Sequence, residues 1–105
     1  MSSNLPLSEQ FRIVAKQWVD SDAAANILED TKSAVLAERM LALGDMPVSR
    51  AEMQVKASKE WQDWVHANCA ARQKANRLKV QMDYIKMQSV EWQSENATKR
   101  AEMRL

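Results

Sequence analysis

Glycine and proline are scarce in this sequence, which has one Gly and two Pro in 105 residues. A small β-sandwich or α/β domain needs several tight turns, and these usually use Gly, Pro, Asn or Asp. The shortage of Gly and Pro therefore argues against those architectures. The most abundant residues include Ala, Lys, Glu, Gln, Arg, Met and Leu, which are strong helix formers. We predict an all-α fold in a single helical domain that spans residues 1–105.

Long apolar runs and cysteine pairs are also missing. No uninterrupted apolar run exceeds four residues, as in 40–43, whereas a membrane helix needs about 20. The first four residues carry no basic start and no apolar signal core, so export is not expected. Cys69 is the only cysteine, which excludes an internal disulfide and is typical of a reducing compartment. We expect a soluble, cytoplasmic protein without membrane contact.

Start and stop signals predict a first helix over about residues 8–43. Ser8 is a candidate N-cap, and Glu9 suits the positive end of the helix dipole. Gly44 is the usual residue for a left-handed C-cap, so it predicts the end of the helix. The run 20–22 (Asp-Ser-Asp) favours caps over helix interiors, and we expect a weak point there.

Two further helices follow. Ser49 and Glu52 have the spacing of a capping box, which predicts a short helix over about 50–57. Ser58 can cap again, and residues 59–103 contain no Gly and no Pro. They predict one long helix of about 67 Å.

The long helix carries apolar residues at alternating spacings of three and four. This heptad seam is strong up to Trp92 and weaker afterwards, and it contains Asn68, which can fix the register of a helix pair. Its positions are Trp61, Trp64, Asn68, Ala71, Ala75, Leu78, Met82, Ile85, Ser89, Trp92, Asn96, Lys99 and Met103.

A helix of this length needs another helix to cover its seam. We therefore predict an antiparallel, coiled-coil-like hairpin in which the first helix folds back and the short helix lies in the connection. With Leu43 and Lys59 as the ends of the turn, Leu28 should lie near Ala75. By the same rule Trp18 should lie near Tyr84 or Ile85, and Phe11 near Glu91 or Trp92.

The core of such a hairpin is thin. Six large residues fall off the main seam and should face outwards in a monomer, namely Ile13, Leu36, Met40, Val80, Tyr84 and Met87. Exposed apolar residues of this kind commonly mark interfaces. A homodimer, arranged as four helices, is therefore expected.

Catalytic and metal-binding constellations are not recognisable. His66 and Cys69 lie one helical turn apart, but two ligands do not make a zinc site and no other His or Cys is present. A helical hairpin offers no pocket for a nucleophilic triad, and a single Gly cannot build a phosphate-binding loop. We predict that the protein is not an enzyme and uses no cofactor, metal or small-molecule substrate.

Basic residues are concentrated in the second half of the long helix. Residues 72–105 hold eight Lys or Arg against four Asp or Glu, while residues 1–71 hold seven against ten. One interpretation is that these side chains contact a nucleic-acid backbone. The other is that they flank the seam and pair with Asp22, Glu29 and Asp30 of the first helix. The candidate nucleic-acid-binding residues are Arg72, Lys74, Arg77, Lys79 and Lys86.

The large apolar residues of the seam define a second candidate surface. Tryptophan and tyrosine can stack on single-stranded bases, but at heptad spacing they more often belong to a core or an interface between subunits. The candidate interface residues are Trp61, Trp64, Leu78, Met82, Ile85 and Trp92.

Several segments carry a resemblance to known proteins. Residues 27–37 (ILEDTKSAVLA) and 48–58 (VSRAEMQVKAS), with 92–95 (WQSE) and 100–102 (RAE), resemble small helical proteins of tailed phages and prophages. The resemblance covers about residues 18–104. Such proteins are encoded among recombination and replication genes, and the resemblance supplies no catalytic residues.

This resemblance implies an accessory protein of phage DNA recombination or replication, which would bind DNA or a DNA-processing protein. A phage inhibitor of a host enzyme or defence complex, acting through its helix surfaces, is the alternative. A purely structural coiled-coil adaptor is a third possibility.

Overall fold

A computed structural model describes residues 5–104, in which helices form the only regular secondary structure. These are α1 (Leu7–Asp30), α2 (Lys32–Ala42), α3 (Val48–Ala57) and α4 (Lys59–Met103). The molecule is elongated, with principal extents of 83 × 23 × 17 Å. The predicted all-α class and the long C-terminal helix are confirmed. Residues 1–4 and 105 of the predicted domain lie outside the described residues.

The core is the seam along which α1 packs antiparallel against α4. Val14 and Ala25 of α1 are fully buried, and so is Ala75 of α4. The small alanine side chains at positions 25 and 75 let the backbones of α1 and α4 approach closely. Ile85 is also buried, so the predicted seam is confirmed from Asn68 to Ile85. Trp61 is buried as well, but at the start of α4, beyond the end of α1, where α3 packs with its buried Ala51 and Val55.

The first predicted helix is divided at Thr31, not at 20–22. The Thr31 hydroxyl donates to the carbonyl oxygens of Ile27 (2.8 Å) and Leu28 (3.3 Å). The Ile27 oxygen also accepts from the Thr31 amide at 3.0 Å, as in an unbroken helix. The hydroxyl therefore competes with backbone amides for these two oxygens, which weakens the helix locally. Residues 20–22 continue as regular helix, and the Asp22 carboxylate accepts a hydrogen bond from Arg72 of α4.

The division at Thr31 changes the predicted register. Helix α2 packs against α3, α3 packs against α4, and α2 makes no close backbone approach to α4 among the described residues. The turn therefore does not pair Leu43 with Lys59 as the prediction assumed. Trp18 lies under Lys79 instead of near Tyr84 or Ile85, and Phe11 shares a hollow with Ile85 and Ser89. The register prediction was wrong by about one helical turn.

Two of the predicted caps were also wrong. Helices α1 and α3 begin at Leu7 and Val48, and each follows a proline that provides no side-chain cap. Proline fits here because its fixed φ suits the residue before a helix and the missing amide needs no partner. Ser58 does cap α4, its hydroxyl accepting from the Trp61 amide at 3.3 Å.

The connection between α2 and α3 follows the sequence prediction more closely. Gly44 has φ of 87°, the left-handed conformation expected after a helix. This residue ends the α2 segment and turns the chain towards α3.

Candidate functional site

Arg72 is the centre of the most extensive polar cluster between α1 and α4. Its guanidinium donates to the Glu29 carboxylate (2.7 and 3.0 Å), to the Asp22 carboxylate (2.7 Å) and to the Asn26 side-chain oxygen (2.6 Å). The planar guanidinium suits such multiple contacts. Arg72 therefore holds α1 against α4, as the second interpretation of the basic residues expected for Asp22 and Glu29.

The ionisation of this cluster follows from its hydrogen bonds. The bond from Arg72 lowers the pKa of the Glu29 carboxyl below its ordinary value of 4.5. The two carboxylates, Glu29 first and then Asp22, raise the pKa of Arg72. Both shifts favour the charged forms, so Glu29 and Arg72 stay ionised at neutral pH.

The other four basic candidates do not form one continuous surface with Arg72. The Lys79 ammonium lies 5.9 Å from the centre of the Trp18 ring, within the range of a cation–π contact. Lys74, Arg77 and Lys86 are exposed. At about 100° per residue, Lys74 and Arg77 lie on the opposite flank of α4 from Lys86. The structure thus separates the five side chains that the sequence grouped together.

Five of the six candidate interface residues are buried or half-buried within the single chain. The Trp61 and Trp64 rings stack with their centres 5.2 Å apart. Trp61 and Ile85 are buried, whereas Leu78 and Met82 are half-buried.

Trp92 is the exception, with 60% of its surface exposed. Of the six candidates it is the one whose indole is largely open to solvent in the single chain.

A second apolar row faces away from α1 on the outer side of α4. Val80, Tyr84 and Met87 are 68%, 59% and 60% exposed. Their spacing of four and three residues confines them to a sector of about 60° on the helix. We call these three residues the outer row.

The outer row was predicted to be exposed but was not included among the candidate sites. Its neighbours include a shallow hollow of about 400 Å³ lined by Asp83, Lys86, Met87, Val90 and Glu91. Ile13, Leu36 and Met40 were expected to be exposed as well, but they are half-buried.

The end of α4 extends beyond α1. Near the start of α1, Leu7 and Ser8 share a hollow with Ser89 and Trp92 of α4. Helix α4 continues from there to Met103, which is 86% exposed. We call residues 93–103 the projecting end. The seam positions Asn96, Lys99 and Met103 continue along the projecting end, past the first turn of α1.

Residues 5–104 contain neither a metal-binding cluster nor a membrane-spanning helix. This part of the chain has no group of three His, Cys, Asp or Glu side chains placed to hold a metal ion. None of its helices is both long enough and apolar enough to cross a membrane.

Comparison with known proteins gives no relative: no family model, curated protein or solved structure matches the chain.

Proposed function

We propose that this chain is a non-enzymatic accessory protein of phage DNA recombination or replication, which acts by binding a DNA-processing protein. The resemblance of residues 27–37 and 48–58 to small phage proteins supports the process. The observation that supports the mode of action is the projecting end, where the seam of α4 continues beyond the start of α1. The proposal places the protein in the host cytoplasm, where phage DNA is processed.

The projecting end suits insertion into a groove or pairing with a helix of another protein. Trp92 stands at its base with a largely exposed indole, and Met103 stands near its tip. Recognition of a helix by a groove typically uses apolar anchors on one face, at spacings of three, four and seven. Trp92, Asn96, Lys99 and Met103 have such spacings, although only the first and last are apolar.

A partner protein is favoured over direct DNA binding by the state of the basic residues. Arg72 is committed to Asp22 and Glu29, and Lys79 lies over Trp18. Phosphate contacts need cations that are free to pair with the backbone. Two of the five candidate cations therefore already have partners within the chain.

A site-specific photo-crosslinker tests the proposal. Placed at Lys99 in phage-infected cells, it should capture a recombination or replication protein, whereas the same group at the exposed Met53 of α3 should not. Trp92→Ala should reduce the capture from position 99. Capture of a host enzyme or defence protein alone would replace the proposal with the inhibitor function.

A gel-shift titration tests the DNA alternative. With single- and double-stranded DNA across a salt series, we expect no binding that depends on Lys74, Arg77 and Lys86. Binding that falls steeply with salt, and is lost when these three are changed to Glu, would overturn the protein-partner proposal in favour of direct DNA contact.

A further inference from the structure

We propose that the outer row is the contact between two copies of this chain, packed antiparallel about a twofold axis near Tyr84. This inference is independent of the proposed function, because the outer row and the seam face opposite sides of α4. The hairpins would then form a layer in which the two α4 helices are central and each α1 lies outside.

The distribution of apolar side chains around Tyr84 suits such an axis. A twofold axis brings together positions at equal distances before and after it, so that each contact occurs twice. Val80 lies four residues before Tyr84 and Met87 three residues after it. In the antiparallel pair, Val80 of each copy therefore faces Met87 of the other, and the two Tyr84 rings meet at the centre.

The charges around the outer row are self-complementary in the same register. Arg77 and Glu91 lie seven residues before and after Tyr84, and each is within about 20° of Tyr84 around the axis of α4. Asp83 and Lys86 lie one residue before and two after Tyr84, both on one flank of the outer row. All four are exposed. A twofold axis at Tyr84 brings Arg77 of each copy beside Glu91 of the other, because the two lie at equal distances from it. The same axis keeps the flank of Asp83 and Lys86 on one side, so Asp83 of each copy lies nearest Lys86 of the other.

The same charges argue against other occupants of this face. In a parallel pair each residue would meet its own copy, which would place Arg77 beside Arg77 and Glu91 beside Glu91. A nucleic acid would meet Asp83 and Glu91 among the cations and would be repelled by them. The antiparallel second copy is the arrangement in which all four charges find partners.

Sedimentation equilibrium tests the inference on the full chain. The wild-type protein should sediment with twice the chain mass of 12.0 kDa. Tyr84→Glu places a charge at the centre of the contact, so this variant should sediment with the mass of a single chain. Its circular dichroism should show that the helices are intact. The matched control Ile27→Glu changes an exposed residue of α1 and should stay dimeric.

A charge exchange tests the antiparallel register. Arg77→Glu or Glu91→Arg alone should each raise the dissociation constant about tenfold, because each reversed ion pair occurs twice. The double variant should recover the wild-type value. A monomer at every concentration overturns the dimer, and a double variant as weak as the single ones overturns the antiparallel register. Capture from position 99 is measured separately, so either proposal can fail without the other.

Discussion

Trp61 and Trp92 both belong to the predicted heptad seam of α4, yet they differ in burial. Trp61 is 5% exposed and stacks on Trp64, whereas Trp92 is 60% exposed and lies beside the start of α1. We predict that Trp61→Ala destabilises the protein strongly and that Trp92→Ala does so only weakly. The pair isolates burial from residue type, because both changes remove the same atoms from the same helix.

The magnitudes follow from the area that folding covers. A buried tryptophan removes about 200 Å² from water, which at about 25 cal/mol/Å² is worth about 5 kcal/mol. The alanine methyl retains some of this, and core Trp→Ala changes cost about 3–5 kcal/mol. We therefore expect a loss of about 4 kcal/mol for Trp61→Ala. Less than half of Trp92 is covered and its loss leaves no closed cavity, so about 1 kcal/mol is expected there.

Urea unfolding followed by far-UV circular dichroism measures both losses, with all variants at one protein concentration so that association does not distort the comparison. Since small domains have total stabilities of about 5–15 kcal/mol, Trp61→Ala can approach the folding limit. Trp61→Phe then provides a milder step that should still cost more than Trp92→Ala. Equal losses of stability at positions 61 and 92, or a larger loss at 92, would refute the reasoning that Trp61 is buried in the fold and Trp92 is not.

Three further predictions concern single contacts between and within the helices. Ser58→Ala removes the cap of α4 and should lower the free energy of unfolding in urea by about 1 kcal/mol, whereas Ser58→Asp should retain most of it. Asn68→Leu replaces a buried polar seam residue and should raise the thermal midpoint by several degrees, because the free energy of unfolding rises by about 1 kcal/mol. A lower thermal midpoint would show that the Asn68 amide has a required partner. Because Arg72 lowers the pKa of Glu29, that carboxylate stabilises the fold above pH 4.5 and loses this contribution as the pH falls through its lowered pKa. Acid titrations should therefore show a smaller loss of stability below pH 4.5 in Arg72→Met than in the wild type, and parallel curves would contradict the cluster.

The bounds of α4 could be predicted because they depend on local chemistry. Ser58 supplies a cap hydroxyl, and no Gly or Pro interrupts the following 45 residues. Gly44 was predictable for the same reason, since a left-handed residue after a helix is a local requirement. The flank position of Arg72 made pairing with Asp22 and Glu29 one of its two interpretations, because the heptad geometry fixes which side of the seam it occupies.

The break at Thr31 could not be predicted in the same way. A threonine within a helix can turn its hydroxyl towards the preceding carbonyls or leave it in solvent, and the sequence does not decide between them. The direction of α2 follows from that choice together with its packing against α3. The register of α1 on α4 depends on the break at Thr31 and on the direction of α2. The observed register therefore differs from the predicted one by about one helical turn. The exposure of Trp92 depends in turn on where α1 begins.

The two proposals together make a prediction about geometry that neither makes alone. In the antiparallel pair, the middle of each projecting end lies about 14 residues, or roughly 21 Å, from the twofold axis. The two ends therefore point in opposite directions, with their binding positions roughly 40 Å apart. A partner that presents repeated sites at that spacing would be bound by both ends, and linked binding of this kind can exceed the single-site affinity by 10²–10⁴. Tyr84→Glu should then weaken capture by a multimeric partner while leaving the affinity for an isolated partner subunit unchanged. Equal weakening for both would mean that the outer row itself contacts the partner.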